Sequence, residues 1–110
     1  MARSFDALVV GTGQAGKPLA AELADDGQRV GVVEKSRVGG TCIIDGCTPT
    51  KTMIASARMA HYARRSADFG VETGAVTVDL KKIVERKNRI VEQWRGGQEA
   101  QVAKRPSLDL

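Results

Sequence analysis

At 110 residues, 42% hydrophobic and with a net charge of +4, the chain has room for one domain, and no apolar run is long enough to span a bilayer. Residues 1–55 carry six Lys/Arg against six Asp/Glu and residues 56–110 eleven against seven, an excess too small and too interleaved with acids for a nucleic-acid surface. The opening Met-Ala-Arg-Ser-Phe-Asp has neither the apolar core nor the cleavage site of a signal peptide, so the expectation is a cytoplasmic protein in a reducing compartment, with no membrane or nucleic-acid partner.

The first element, Phe5 to Val10, is a short apolar run consistent with a buried parallel strand. It runs into Gly11-Thr12-Gly13-Gln14-Ala15-Gly16, a G-x-G-x-x-G. Gly11 permits the tight strand-to-helix turn, Gly13 lets backbone amides approach a pyrophosphate, and Gly16 allows the helix to pack closely on the strand. The helix amino end then offers free N–H groups and partial positive charge to phosphates. Gly27 is a natural stop, although Asp25 and Asp26 sit badly at the negative end of the helix dipole. Gln28 to Val33 forms a second strand and ends in Glu34, eighteen residues after Gly16. A carboxylate there can accept hydrogen bonds from both hydroxyls of an adenosine ribose and repels a 2′-phosphate, so FAD and NAD both qualify. The competing phosphate loop of NTPases, G-x-x-x-x-G-K, is matched by Gly11 to Lys17, but Pro18 stands where a Ser or Thr hydroxyl must ligate magnesium.

Both cysteines, Cys42 and Cys47, lie within Gly39 to Lys51. On a regular helix an i, i+5 pair is roughly 8 to 9 Å apart between Cα atoms, beyond the ~7 Å limit for a disulfide. Gly46 can bend the segment enough to bring the sulfurs together. So short a ring constrains little chain entropy, which makes it a poor staple and a plausible redox pair. Lys51 and a helix amino end near Pro49 are expected to favour thiolate over thiol. One histidine, His61, with two cysteines at this spacing makes no zinc site and is read as a surface residue.

A helix is expected over Thr50–Ala67, with Met53, Ala57 and Ala60 as a small-residue stripe that suits either close approach to a flat ring or plain packing. Phe69-Gly70 closes it, and Val76 and Val78 alternate with polar residues as an edge strand or extended link. Asp79 reads as an N-cap. The helix that follows carries Leu80, Ile83, Val84, Ile90, Val91 and Trp94 along one seam. Gly96-Gly97 is expected to break it, leaving a shorter helix from Gln98 to Lys104. Ser107 to Leu110 reads as the opening of a third strand.

The glycine motif, Glu34, Gly39-Gly40-Thr41-Cys42, Gly46-Cys47, Pro49 and Lys51 together resemble the amino-terminal FAD region of the class I pyridine nucleotide-disulfide oxidoreductases, which include dihydrolipoamide dehydrogenase, glutathione reductase and mercuric reductase. Gly-Thr-Gly-Gln-Ala-Gly and Cys-Thr-Pro-Thr-Lys-Thr are most similar to mercuric reductase-like members. The resemblance implies an α/β fold: a Rossmann-like FAD-binding βαβ unit in an incomplete doubly wound sheet, followed by helices. Residues 1–110 would be the amino-terminal part of an FAD-binding domain, with NAD(P)H-binding and dimerisation domains absent and the fragment inactive by itself. It also implies residue roles. Cys42 is the interchange thiol that meets substrate, and Cys47 the thiol against the flavin. Lys51 lies near flavin N5, Gly40 and Thr41 line the FAD, Gln14 and Ala15 contact the pyrophosphate, and Glu34 holds the ribose. The implied activity passes electrons from NAD(P)H through FAD to a Cys42–Cys47 disulfide and on to a small disulfide or mercuric-ion substrate, in a homodimer. Two positions depart from the family pattern: Ile44 replaces an Asn beside the first cysteine, and Thr48 an aliphatic residue after the second. The alternative function is a non-catalytic module that binds FAD or NAD without turnover.

Overall fold

The computed structural model describes residues 2–110. Strand β1 (Ala7–Val10) leads through the glycine turn into helix α1 (Gly16–Asp25) and strand β2 (Val30–Val33). A short helix α2 (Gly40–Ile44) and a long helix α3 (Cys47–Arg64) follow, then a 3-10 turn at Ser66–Phe69, helix α4 (Leu80–Ala103) and strand β3 (Leu108–Asp109). The three strands are parallel, in the order β1-β2-β3, with Ala7 opposite Val30, Val10 opposite Val33 and Val30 opposite Leu108. Parallel neighbours need crossovers. The first is α1, and the second is the whole stretch from α2 to α4.

The core is small and lies on one face of the sheet. Val9, Val30, Val32 and Leu108 pack there against Ala20 and Ala24 of α1, with Ala7, Leu23 and Val102 at its margin. The alanines let α1 lie close to the strands, and Gly16 is required for the same reason, because a Cβ there would run into the Gly11 carbonyl oxygen. The opposite face is uncovered: Leu8, Val10 and Val33 are 61%, 80% and 49% exposed. Away from the sheet, α3 and α4 pair along their lengths and draw the molecule out to 67 × 24 × 18 Å. Its radius of gyration, 20.1 Å, far exceeds the ~13 Å of a compact chain of this length.

Both expected β-strands of the opening unit form, as does the third at Leu108–Asp109. Gly27 ends α1 with a φ of +87°. Asp25, unfavourable for the helix dipole, is held instead by Arg105, whose Nε and Nη2 donate to its two carboxylate oxygens at 2.8 and 3.0 Å. Asp79 caps α4 by accepting from the Lys82 amide at 3.1 Å. His61 is exposed, as expected.

Four expectations are corrected. Helix α3 spans Cys47–Arg64 rather than 50–67, so Pro49 sits in its first turn, where an amide hydrogen has no intrahelical partner to lose. Val76 and Val78 lie in an extended link outside the sheet. The α3 face turned to α4 carries Thr52, Ser56, Ala60 and Ala63, whereas Met53 and Ala57 face outward. Lastly, Gly96-Gly97 does not break α4, which runs unbroken to Ala103. Arg95 bridges the pair by donating to Glu92 and Glu99 at 3.0 and 2.6 Å, and Gln98 beyond it accepts from Lys17 of α1. These bonds and the packing of Val102 offset the backbone entropy of two glycines.

A Cβ at Gly97 would meet nothing within 4 Å, so Gly97→Ala should raise the unfolding free energy by about 0.5–1 kcal/mol in a denaturant melt. A helix interrupted at this pair would instead lose stability on the same change.

Candidate functional site

The carboxyl end of the sheet positions the site, because there the chain leaves β1 and β2 through two loops that meet. Gly11, with a φ of +95°, turns the chain out of β1, and its amide donates to Val33 at 2.7 Å, carrying the strand pairing one step further. The next residue, Thr12, is fully buried between the loops. Its hydroxyl donates to Glu34 Oε2 at 2.5 Å and accepts from the Gly39 amide at 3.1 Å, while its own amide donates to the same Glu34 oxygen at 3.0 Å. Glu34 Oε1 accepts from the Ser36 amide at 3.1 Å. These hydrogen bonds, the Thr12 hydroxyl first, stabilise the charged form and hold the Glu34 carboxyl below its usual range.

Gly40 completes the junction. It has a φ of +69°, and a Cβ on it would lie 2.5 Å from Gly13 Cα, so backbone rests directly on backbone. Gly39, with a φ of +139°, makes the turn that delivers it there. Helix α2 therefore starts on the glycine loop, and α2 carries Cys42. After Asp45 the chain bends at Gly46, where a Cβ would crowd the Thr41 carbonyl oxygen at 3.1 Å, and Cys47 opens α3. The amides of Asp45 and Gly46 both donate to Thr41, at 2.9 and 2.7 Å, and fix the bend.

This bend brings Cys42 and Cys47 within hydrogen-bonding reach of each other. Both are free thiols, Cys42 half-buried and Cys47 exposed. The contact with the Cys47 side chain, more than desolvation, pushes the Cys42 thiol above its usual value. Lys51 acts in the expected direction but is the weakest influence on Cys42, so the expected bias toward thiolate is not met at this sulfur.

A groove of about 630 Å³ opens along the junction, lined by Gly11, Thr12, Gly13, Glu34, Gly40, Thr41 and Ile44, with Lys35, Arg37 and Asp45 at its edge. Of the residues singled out in the sequence, Gly11, Gly13, Glu34, Gly40 and Thr41 meet in it. Ala15 caps the amino end of α1 and Gly16 opens that helix, while Gln14 lines a separate cavity of about 230 Å³ with Lys17, Gln98 and Arg105. Cys42, Cys47 and Lys51 lie beyond the groove on α2 and α3. Sequence reasoning missed Thr12 and Gly39. Thr12 occupies a variable place in the glycine motif, and its only signal is a small hydroxyl residue where the chain leaves a buried strand.

Residues 5–105 match the family model described as pyridine nucleotide-disulphide oxidoreductase. The chain belongs to that family. It is 42% identical over 98 residues to dihydrolipoyl dehydrogenase of Acholeplasma laidlawii, covering 88% of this chain and 29% of the relative. Mercuric reductase of Lysinibacillus sphaericus is 33% identical over 92 residues, 84% of this chain and 17% of that protein. Among solved structures, the HOCl-induced flavoprotein disulfide reductase RclA of Escherichia coli superposes with a TM-score of 0.75 at 33% identity, over 94% of this chain and 20% of that one. A mutant of it in a Cu(II) complex gives 0.80 at 32% identity, over 99% and 21%. The fold is the Rossmann-like FAD-binding fold of the flavoprotein disulfide reductases, and the chain spans between a sixth and a third of the length of these relatives. Among the described residues there is no cluster able to hold a metal ion, and no helix is long and apolar enough to cross a membrane.

Because its folded-state value is depressed, Glu34 contributes stability that is present above the ordinary Glu range near pH ~4.3 and is lost as pH falls through the folded value. Glu34→Gln should flatten that part of the acid unfolding curve, and equal acid slopes in the two proteins would contradict the network. Gly40→Ala should cost more than about 1 kcal/mol in a thermal or denaturant melt, through the left-handed backbone and the contact with Gly13.

Proposed function

We propose that residues 1–110 form the FAD-gripping and dithiol-bearing part of an oxidoreductase that reduces a small disulfide or mercuric-ion substrate. The observation that carries this reading is the seat of Gly40 on Gly13, which joins the cysteine-bearing helix pair to the glycine loop through a single backbone contact. The loop fits a dinucleotide. A Cβ on Gly13 would project into open space, so the position leaves room for a pyrophosphate against the backbone, and the leading amides of α1 point from Gln14, Ala15 and Gly16. Glu34 offers an ionised acceptor to the adenosine ribose, while Gly40 and Thr41 continue the groove toward the sulfurs. Lys51, one turn after Cys47, is the residue to meet the flavin ring. When bound, FAD supplies two-electron reduction of the cysteine pair at the expense of NAD(P)H.

The protein's own chemistry is thiol exchange. With a disulfide substrate, the Cys42 thiolate attacks one sulfur, a mixed disulfide forms and one substrate thiolate leaves. Cys47 then loses its proton and attacks Cys42, the second substrate thiolate leaves, and a Cys42–Cys47 disulfide remains. Two electrons have passed from the pair to the substrate. The elevated Cys42 thiol makes the first attack faster as pH rises through the thiol range. With mercuric ion the two thiolates act as soft ligands. The dihydrolipoyl dehydrogenase and mercuric reductase relatives support these substrate classes, and the family supports action as a homodimer of the longer protein.

Oxidised glutathione added to the purified chain should yield an intramolecular disulfide, seen by mass as the loss of two hydrogens and absent in Cys42→Ser. Stable glutathione adducts on both cysteines would refute the pair. FAD should lose fluorescence on binding, and Gly13→Val should weaken that binding at least about tenfold, since its side chain fills the pyrophosphate position. If FAD binds but the cysteines never pair, the chain is a dinucleotide-binding module without turnover.

A further inference from the structure

Resting on the dinucleotide reading of the groove, we propose that Thr12 is a positioning residue that restricts Glu34 to a single hydroxyl of the adenosine ribose. The argument is a count of acceptor places. An ionised carboxylate offers about four lone-pair sites, two on each oxygen. Oε2 already accepts twice from Thr12, from its amide at 3.0 Å and its hydroxyl at 2.5 Å. Oε1 accepts once, from the Ser36 amide at 3.1 Å. One site is left, on Oε1. A carboxylate free in the groove could take both ribose hydroxyls, but this one has room for one.

Thr12 is held too firmly to yield the place. It is fully buried, its hydroxyl has one proton to give and gives it to Glu34, and the same oxygen accepts from the Gly39 amide at 3.1 Å. Turning the hydroxyl away would strand a buried amide and a buried hydroxyl together, a heavier loss than one ribose contact returns. The charged side chains around Glu34 in the groove are Lys35, Arg37 and Asp45, and none of them donates a hydrogen bond to the Glu34 carboxylate.

The test compares binding of ADP, 2′-deoxy-ADP and 3′-deoxy-ADP to the 110-residue chain by calorimetry, and follows the Glu34 carboxyl by carbon-detected NMR titration. In the unaltered chain one deoxy nucleotide should bind about tenfold more weakly than ADP and the other as well as ADP. Equal losses for both would overturn the proposal. Thr12→Val keeps the volume but frees a place on Oε2, so both deoxy nucleotides should then bind more weakly than ADP, while Thr12→Ser should restore discrimination at one hydroxyl. In parallel, the Glu34 carboxyl should titrate higher in Thr12→Val and remain low in Thr12→Ser. An unchanged titration in Thr12→Val would overturn the positioning role. Should no variant bind any nucleotide, the dinucleotide reading fails and the single-hydroxyl restriction fails with it, while the titration still decides whether Thr12 positions the carboxylate. The nucleotide comparison in the unaltered chain needs no variant to fold.

Discussion

The buried hydroxyl of Thr12 is the constraint on which the site depends. It lies where three pieces of chain meet: the turn out of β1, the end of β2 and the approach to α2. By giving a proton to Glu34 and taking one from the Gly39 amide, it fixes the second loop against the first with no hydrophobic packing between them. Gly40 then rests on Gly13, and α2 must start where it does. Polar networks of this sort are costly when broken and specific when whole, because each buried group has only one partner available. The geometry of the cysteine pair is therefore inherited from the glycine loop through two residues of backbone.

How far this was legible in the sequence varies from residue to residue. The glycines and Glu34 could be read directly, since a tight turn, a close backbone approach and an acceptor at a strand end each demand a residue type at a fixed spacing. Gly46 could be read too, because two thiols five places apart need a bend. Thr12 could not: its place in the motif is nominally free, and burial of a hydroxyl depends on what a distant loop supplies. Helix α2 escaped notice because five residues carry no periodicity to detect. The glycine pair in α4 misled for a different reason. Local propensity opposes a helix there by about 1 kcal/mol per glycine, yet Arg95, Gln98, Val102 and Arg105 all tie the following turns to something else. Tertiary contacts outweighed the local cost.

The chemistry at the sulfurs follows from the same bend. Bringing two thiols within reach makes exchange between them intramolecular, which is what a dithiol reductant requires. It also means that each thiol is governed first by the other and only then by nearby cations, as the ordering of influences on Cys42 shows. Family membership accounts for the pair, and the junction at Gly40 accounts for its placement beside a dinucleotide groove.

The bare side of the sheet carries a thermal signature. Leu8, Val10 and Val33 hold water against an apolar surface that parallel sheets ordinarily bury beneath a second layer. Releasing that water is driven by entropy near room temperature, so adhesion of any apolar surface to this side strengthens on warming and in sulfate, and relaxes in the cold.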